Sequence, residues 1–297
     1  MSLNWQDRYH TGRRPNRTMR LMTHQDIPGA VALLEAVGWS QQESDMARLI
    51  DWEPEGCFCI EEEERGLVGT VTTTTYDTSL AWIGMVIVDP TRQRQGLGRQ
   101  LMRAALDYLI TRDVARIMLD ASDVGRPLYE DLGFRKVCKT ERWEGRASTY
   151  LGERARRMRE NDLDAVIALD TTLFGVARPR ILKRFWEEFP QLAWVDESRG
   201  QIEGFLMGHR VGGSVSLSPW MSWSTASAER LLRVAFEQLQ GELIVMNIPD
   251  QNGRGLMLAR NHNLKRIRHC TRMIYGDALP LEGQLLTHLA VATLATG

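Results

Sequence analysis

The sequence predicts an α/β chain of the α+β kind, with a mixed sheet, in which one fold is written twice in tandem. Its 297 residues suffice for two domains at roughly 150 residues each. Apolar residues make up 43% and charged residues 25%, the balance of a chain that buries real cores. The same order of helices and strands can be followed in each half, and repeated order is the mark of duplication.

In the first half, regular structure is expected from Arg20, with 1–19 a flexible tail carrying Arg13, Arg14 and Arg17. Thr23 to Asp26 reads as a helix cap, and Ile27, Val31, Leu34 and Val37 recur at helical spacing. Gly38 ends that helix and 41–52 forms a second. Strands follow over 57–61 and 67–76, joined by the acidic hairpin tip Glu62-Glu63-Glu64-Arg65-Gly66. The apolar run 80–88 reads as a central, doubly covered strand that Asp89-Pro90 stops. A helix over 96–110 presents Leu97, Leu101, Ala105 and Leu109 on one stripe. A strand over 115–121, a short helix over 125–132 and a strand over 134–143 complete the unit. The pattern dissolves over 144–148, so the domains are expected at 20–146 and 147–297.

The second half repeats the scheme: helices over 161–172 and 178–188, strands over 193–197, 202–210 and 215–221, and a helix over 227–239. A closing β-α-β follows over 242–248, 253–261 and 265–275. Gly125-Arg126-Pro127-Leu128-Tyr129 is echoed by Gly253-Arg254-Gly255-Leu256-Met257. The apolar run 285–296 falls short of the roughly 20 residues that cross a bilayer and reads as a terminal helix packed on the body.

Composition excludes several function classes. A net charge of −1 offers no surplus of cations for nucleic acid. Cys57 and Cys59 share one strand face, but the four cysteines and six histidines show no zinc-ligand spacing, so buried thiols and no metal are expected. Without a signal peptide or membrane span the expected compartment is the cytoplasm.

The stretch that carries chemistry is Val86-Ile87-Val88-Asp89-Pro90-Thr91-Arg92-Gln93-Arg94-Gln95-Gly96-Leu97-Gly98-Arg99. An apolar strand stops, a turn with two glycines follows, and an amphipathic helix starts at once. Such a turn brings backbone N–H groups close to a ligand, and the helix start adds unpaired donors, which suits a pyrophosphate. Arg94 and Arg99 add charge at the rim. A P-loop would need Lys and Ser/Thr after its last glycine, and a dinucleotide fingerprint would need glycine where Leu101 stands.

Gln93-x-x-Gly96-x-Gly98, following a strand that ends in Asp89-Pro90, resembles motif A of the GNAT superfamily of N-acetyltransferases. The run from Leu119 to Phe134, ending in Leu128-Tyr129-Glu130-Asp131-Leu132-Gly133-Phe134, is similar to that family's second cofactor segment. The whole chain resembles the family's tandem, two-domain members. This resemblance implies an N-acetyltransferase that uses acetyl-CoA as co-substrate and a primary amine as acceptor. It implies that Val86, Ile87 and Val88 hold the acetyl carbonyl and pantetheine arm. Arg94, Gln95, Gly96, Leu97, Gly98 and Arg99 would cradle the pyrophosphate, in a turn that Gln93 helps to shape. Tyr129 would be the general acid for the departing thiolate, a role that suits a phenol protonated at neutral pH.

Two family features are missing. Ser122 stands where many relatives carry an Asn that touches the cofactor, and no Glu lies on 80–88 to serve as a base; Asp120 is the nearest carboxylate. The second half has neither glycine turn nor positive rim between Met221 and Arg230, and Met257 replaces the tyrosine, so a degenerate copy that closes the acceptor cleft is expected. An enclosed cleft favours a small-molecule amine, with Trp39, Trp143, Trp220 and Trp223 as possible walls. The oligomeric state is left open. The alternative function is a non-catalytic acyl-CoA sensor or scaffold.

Overall fold

The computed structural model describes residues 16–149, 152–153, 155–276, 278–279 and 288–297. The first half runs β1 (Arg17–Leu21), α1 (Ile27–Ala36), α2 (Glu43–Trp52), β2 (Phe58–Glu62), β3 (Gly66–Tyr76) and β4 (Leu80–Val88). It continues with α3 (Leu97–Ile110), β5 (Ile117–Ala121), α4 (Arg126–Asp131) and β6 (Phe134–Arg146). The second half begins with β7 (Arg156–Arg157), α5 (Leu163–Phe174), α6 (Pro179–Glu188), β8 (Ala193–Ser198), β9 (Gln201–Val211) and β10 (Ser214–Ser222). Then come α7 (Thr225–Gln238), β11 (Leu243–Pro249), α8 (Gly253–Asn261), β12 (Lys265–Tyr275) and β13 (His288–Ala290).

The duplication extends to individual side chains. Arg20 on the first strand donates to both carboxylate oxygens of Asp26, at 2.8 and 2.7 Å, and to Glu61 on the neighbouring strand. Arg156 on β7 repeats this with Asp162, at 2.7 and 2.8 Å, and with Glu197 on β8. In each half an arginine thus ties the opening strand to the residue that caps the first helix. β1 also corrects the expected tail: residues 17–19 are paired with Ile60 to Glu62 of β2, while 1–15 lie outside the described residues.

Among the described residues the strands form one sheet, ordered β1-β2-β3-β4-β5-β12-β6-β11-β10-β9-β8-β7 with β13 paired to β10. The two halves therefore exchange their last long strands. β12 inserts between β5 and β6, and β6 pairs with β11. A cut at 146/147 does not separate two self-contained sheets; each half completes the other's. At the exchange, Arg272 of β12 lies opposite Asp120 of β5, and their fully buried side chains bond at 2.9 and 3.2 Å.

Both halves also splay a parallel pair. The β4–β5 ladder covers only Ala81↔Ile117 and Trp82↔Met118. The β10–β11 ladder covers only the equivalent Val215↔Ile244 and Ser216↔Val245. In the second half the resulting wedge is filled by the chain itself. β13 pairs with Trp220 and Met221 of β10, and the Val291 amide donates to the Asn247 carbonyl of β11 at 2.9 Å. The helix expected over 285–296 is therefore not what the described part forms: 288–290 is a strand followed by turns, because an open sheet edge offers this apolar segment backbone partners. Residues 285–287 lie outside the described residues.

The last residues then run between the halves. Trp82 Nε1 donates to the Leu294 carbonyl at 3.2 Å, and buried Arg178, paired with Asp170, donates to the Gly297 carbonyl at 3.1 Å. Gly84 is obligatory at this seam, since a Cβ there would sit 2.7 Å from the Ala295 Cα.

Candidate active site

The wedge between β4 and β5 opens because of a bulge. On β3, Thr70 pairs with Ile87 and Thr72 with Gly84, so Met85 and Val86 together oppose one residue, Val71. Met85 takes a left-handed φ of 48°, and the Thr70 hydroxyl donates to its carbonyl at 2.9 Å, which fixes the distortion. Past the bulge, Val86, Ile87 and Val88 line a cavity of about 780 Å³. They occupy the register at which Trp220 and Met221 pair with β13 in the second half. The edge that the second half fills with its own backbone is thus presented to the cavity in the first.

The turn below the wedge is shaped by its own side chains. Asp89 accepts from the Thr91 amide and hydroxyl, both at 2.7 Å, and Gln93 Nε2 donates to the Val88 carbonyl at 3.4 Å. Gly96 caps α3 with a left-handed φ of 84° and no side-chain bond, which leaves the first-turn amides without acceptors. Among the described residues, none of the amides from Arg94 to Arg99 donates to a turn or loop carbonyl. Gln93, Arg94, Gly96, Leu97, Gly98 and Arg99 all line the cavity. Arg99 is held at 3.1 Å by Asp131, whereas Arg94 has no carboxylate partner among the described residues. Gln95 faces elsewhere, its Oε1 accepting from Arg17 at 2.6 Å. The corresponding helix start in the second half is closed, because Ser224 caps α7 by accepting from the Ser227 amide at 3.1 Å.

Tyr129 and Ser122 line the same cavity. Ser122 Oγ accepts from the Gly125 amide at 3.2 Å and so steadies the entry to α4. Tyr129 folds back over that helix start, where a Cβ at Gly125 would fall 3.2 Å from its hydroxyl. Its ring packs edge-on to Phe134 at 6.1 Å, and its hydroxyl has no protein partner among the described residues. Burial, reinforced by the nearby Cys270 thiol, pushes its pKa above the ordinary tyrosine value. A group in this state stays protonated at neutral pH, as a donor must.

The second half contributes much that local sequence did not signal. Cys270 and Arg268 reach the cavity from β12, Asn247 from β11 and His209 from β9. Only the exchanged strand order brings them there, so no motif could announce them. His209 stacks on Phe185 with centroids 4.8 Å apart, and burial, then Arg48, lowers its pKa to about 3, so it is neutral at physiological pH. Of the four candidate tryptophans only Trp39 lines the cavity; Trp143 and Trp220 are core, and Trp223 is exposed elsewhere. Trp52 joins Trp39 instead. Asp120 is no free base: besides Arg272 it accepts from the Thr140 hydroxyl at 2.6 Å. The other carboxylate on the cavity wall, Asp45, is paired with Arg48 and has its pKa raised by burial.

With this geometry in view, the likeness to known proteins is specific. The Acetyltransferase (GNAT) family model matches residues 25–134, and an Acetyltransferase (GNAT) domain model matches 166–286. The chain belongs to the GNAT family. A Bacillus subtilis relative, the uncharacterized N-acetyltransferase YitH, is 25% identical over 177 residues, 58% of this chain and 62% of its own. The chain spans less than two thirds of the curated relatives it matches. Among solved structures, a Pyrococcus horikoshii protein provisionally assigned as an acetyltransferase covers all of both chains, with a TM-score of 0.78 and 24% identity. A tandem GNAT protein from the clavulanic acid biosynthesis pathway covers 90% of this chain and 100% of its own, with a TM-score of 0.62 and 11% identity. These structural likenesses concern the fold. The fold is thus that of a tandem GNAT protein, and among the described residues no helix is long and apolar enough to cross a membrane.

Proposed function

We propose that this GNAT protein transfers an acetyl group from acetyl-CoA to a primary amine of a small molecule. The observation that carries this reading is the open wedge of the first half, whose counterpart in the second half is plugged by β13. The free edge at Val86, Ile87 and Val88 is suited to the amides of a pantetheine arm, as strand addition requires. The amides from Arg94 to Arg99 at the uncapped start of α3, with the Arg94 guanidinium that has no carboxylate partner among the described residues, suit a pyrophosphate. Bound acetyl-CoA would supply a thioester carbonyl open to attack by the amine.

Tyr129 then acts on the leaving side. As the C–N bond forms and the C–S bond breaks, its hydroxyl gives a proton to sulfur, with buried Cys270 beside it. Among the described residues no free carboxylate faces the cleft, so the amine enters neutral and the proton that its nitrogen sheds on forming the amide passes to water. The cavity is enclosed by both halves, which supports a small acceptor over a long polypeptide.

The test is thiol release from acetyl-CoA over a panel of amino acids, polyamines and amino sugars. Turnover by the wild type and a 10²- to 10⁴-fold lower kcat in Tyr129→Phe, roughly the share of one general acid, is expected. An unchanged kcat would remove Tyr129 from the reaction. Tight acetyl-CoA binding with no turnover of any amine would mark an acyl-CoA sensor.

A further inference from the structure

Beyond Tyr129, the acceptor side of the cavity is crossed by a row of polar side chains from three strands. Asn247 of β11 lies directly opposite Arg142 of β6, and Arg142 lies directly opposite Arg268 of β12. Residues paired in this way share one face of the sheet, and all three line the cavity. A bulge on β12 between Arg266 and Arg268 sets this register, leaving Ile267 unpaired and putting Arg268 on the face that borders the cavity.

Two guanidinium groups opposed across a ladder repel each other unless an anion lies between them. Arg142 has one, Glu144, whose Oε1 accepts from its Nε at 2.6 Å. Arg268 has none: among the described residues it donates to the Cys270 thiol at 3.7 Å and forms no ion pair. Beside the pair, the buried Asn247 Oδ1 has no hydrogen-bond partner among the described residues. A buried, unpartnered amide oxygen is costly and marks a place where a ligand donor belongs. Arg268 stands two residues, about 7 Å along the strand, from Cys270, which neighbours Tyr129.

We infer that the acceptor is an amine that also carries an anionic group, a carboxylate or a phosphate, held by Arg142 and Arg268 together. The planar guanidinium forks match either anion, and Asn247 accepts a hydrogen bond from the acceptor's own N–H or O–H. The inference rests on the amine-acetylating reading above and names its substrate class. The subsite draws on both halves, since Arg142 comes from the first and Arg268 and Asn247 from the second.

The experiment compares matched amines: glycine with methylamine, lysine with cadaverine, and glucosamine 6-phosphate with glucosamine. Thiol release is measured for the wild type and for Arg268→Gln, a change at an exposed position that leaves the core intact. The expected result is at least tenfold higher kcat/KM for the anionic members. Arg268→Gln should erase that preference through a tenfold rise in acceptor KM, with the acetyl-CoA KM within twofold. Equal or better turnover of the neutral amines, or an unchanged variant, overturns the inference. A rise in the acetyl-CoA KM alone also overturns it, by giving the pair to a phosphate of the coenzyme.

Thermal melting with the same amines in the presence of coenzyme A provides an arm independent of turnover. Stabilisation by the anionic amines that is lost in Arg268→Gln, without turnover, upholds the anion subsite while the acetyl-transfer reading falls. The absence of both stabilisation and turnover with every anionic member overturns the subsite.

Discussion

Tyr129 and His209 face one cavity from opposite halves, and burial acts on them in the same sense: it favours the neutral form of each. For the tyrosine this preserves a donor, and for the histidine it removes a cation from the cleft. The histidine's effect has a measurable sign. Its folded pKa, about 3, lies below the ordinary 6.5, so the unfolded chain binds the proton first. Its contribution is constant above pH 6.5 and is lost as pH falls from 6.5 towards 3. By pH 5 the loss is about 2 kcal/mol. Urea unfolding at pH 7.5 and pH 5 should show His209→Gln losing about 2 kcal/mol less than the wild type; equal losses would mean that His209 is not buried neutral. At this scale the place of Tyr129 on the cavity wall was readable from Leu128-Tyr129-Glu130. The fate of Asp120 was not, because its partner Arg272 lies 152 residues away.

The contrast between α3 and α7 shows what a few residues at a helix start decide. Ser224 closes α7 on itself, while Gly96 leaves the donors of α3 facing the cavity. Gly98 is the sensitive position, because a Cβ there would lie 3.2 Å from Leu128 Cδ2 and project among the cavity residues. Gly98→Val should weaken acetyl-CoA binding at least tenfold in calorimetry while moving the melting temperature only a few degrees, since the helix stripe below it is untouched. Undiminished affinity would place the pyrophosphate elsewhere. Most elements were legible in advance: β4, α8 and β12 have the bounds that their apolar runs and glycines dictate. β1 was missed because five polar-flanked residues carry too little periodicity, and β13 because an apolar segment declares burial without declaring its partner.

At the scale of the whole molecule, the exchange of β6 and β12 turns two similar halves into one working unit. The order of elements along the chain foretold the duplication but not the exchange, since strand pairing over such separations leaves no local pattern. That exchange places Cys270 beside Tyr129 and Arg268 beside Arg142. The same architecture makes the halves unequal: the first keeps its wedge open, and the second fills the equivalent wedge with β13. The most direct test is the stoichiometry of acetyl-CoA binding to the intact chain by calorimetry. One molecule bound per chain, with the site lost in Gly98→Val, is the predicted result. Two per chain, or one that survives the substitution, would contradict the assignment of the cofactor to the first half.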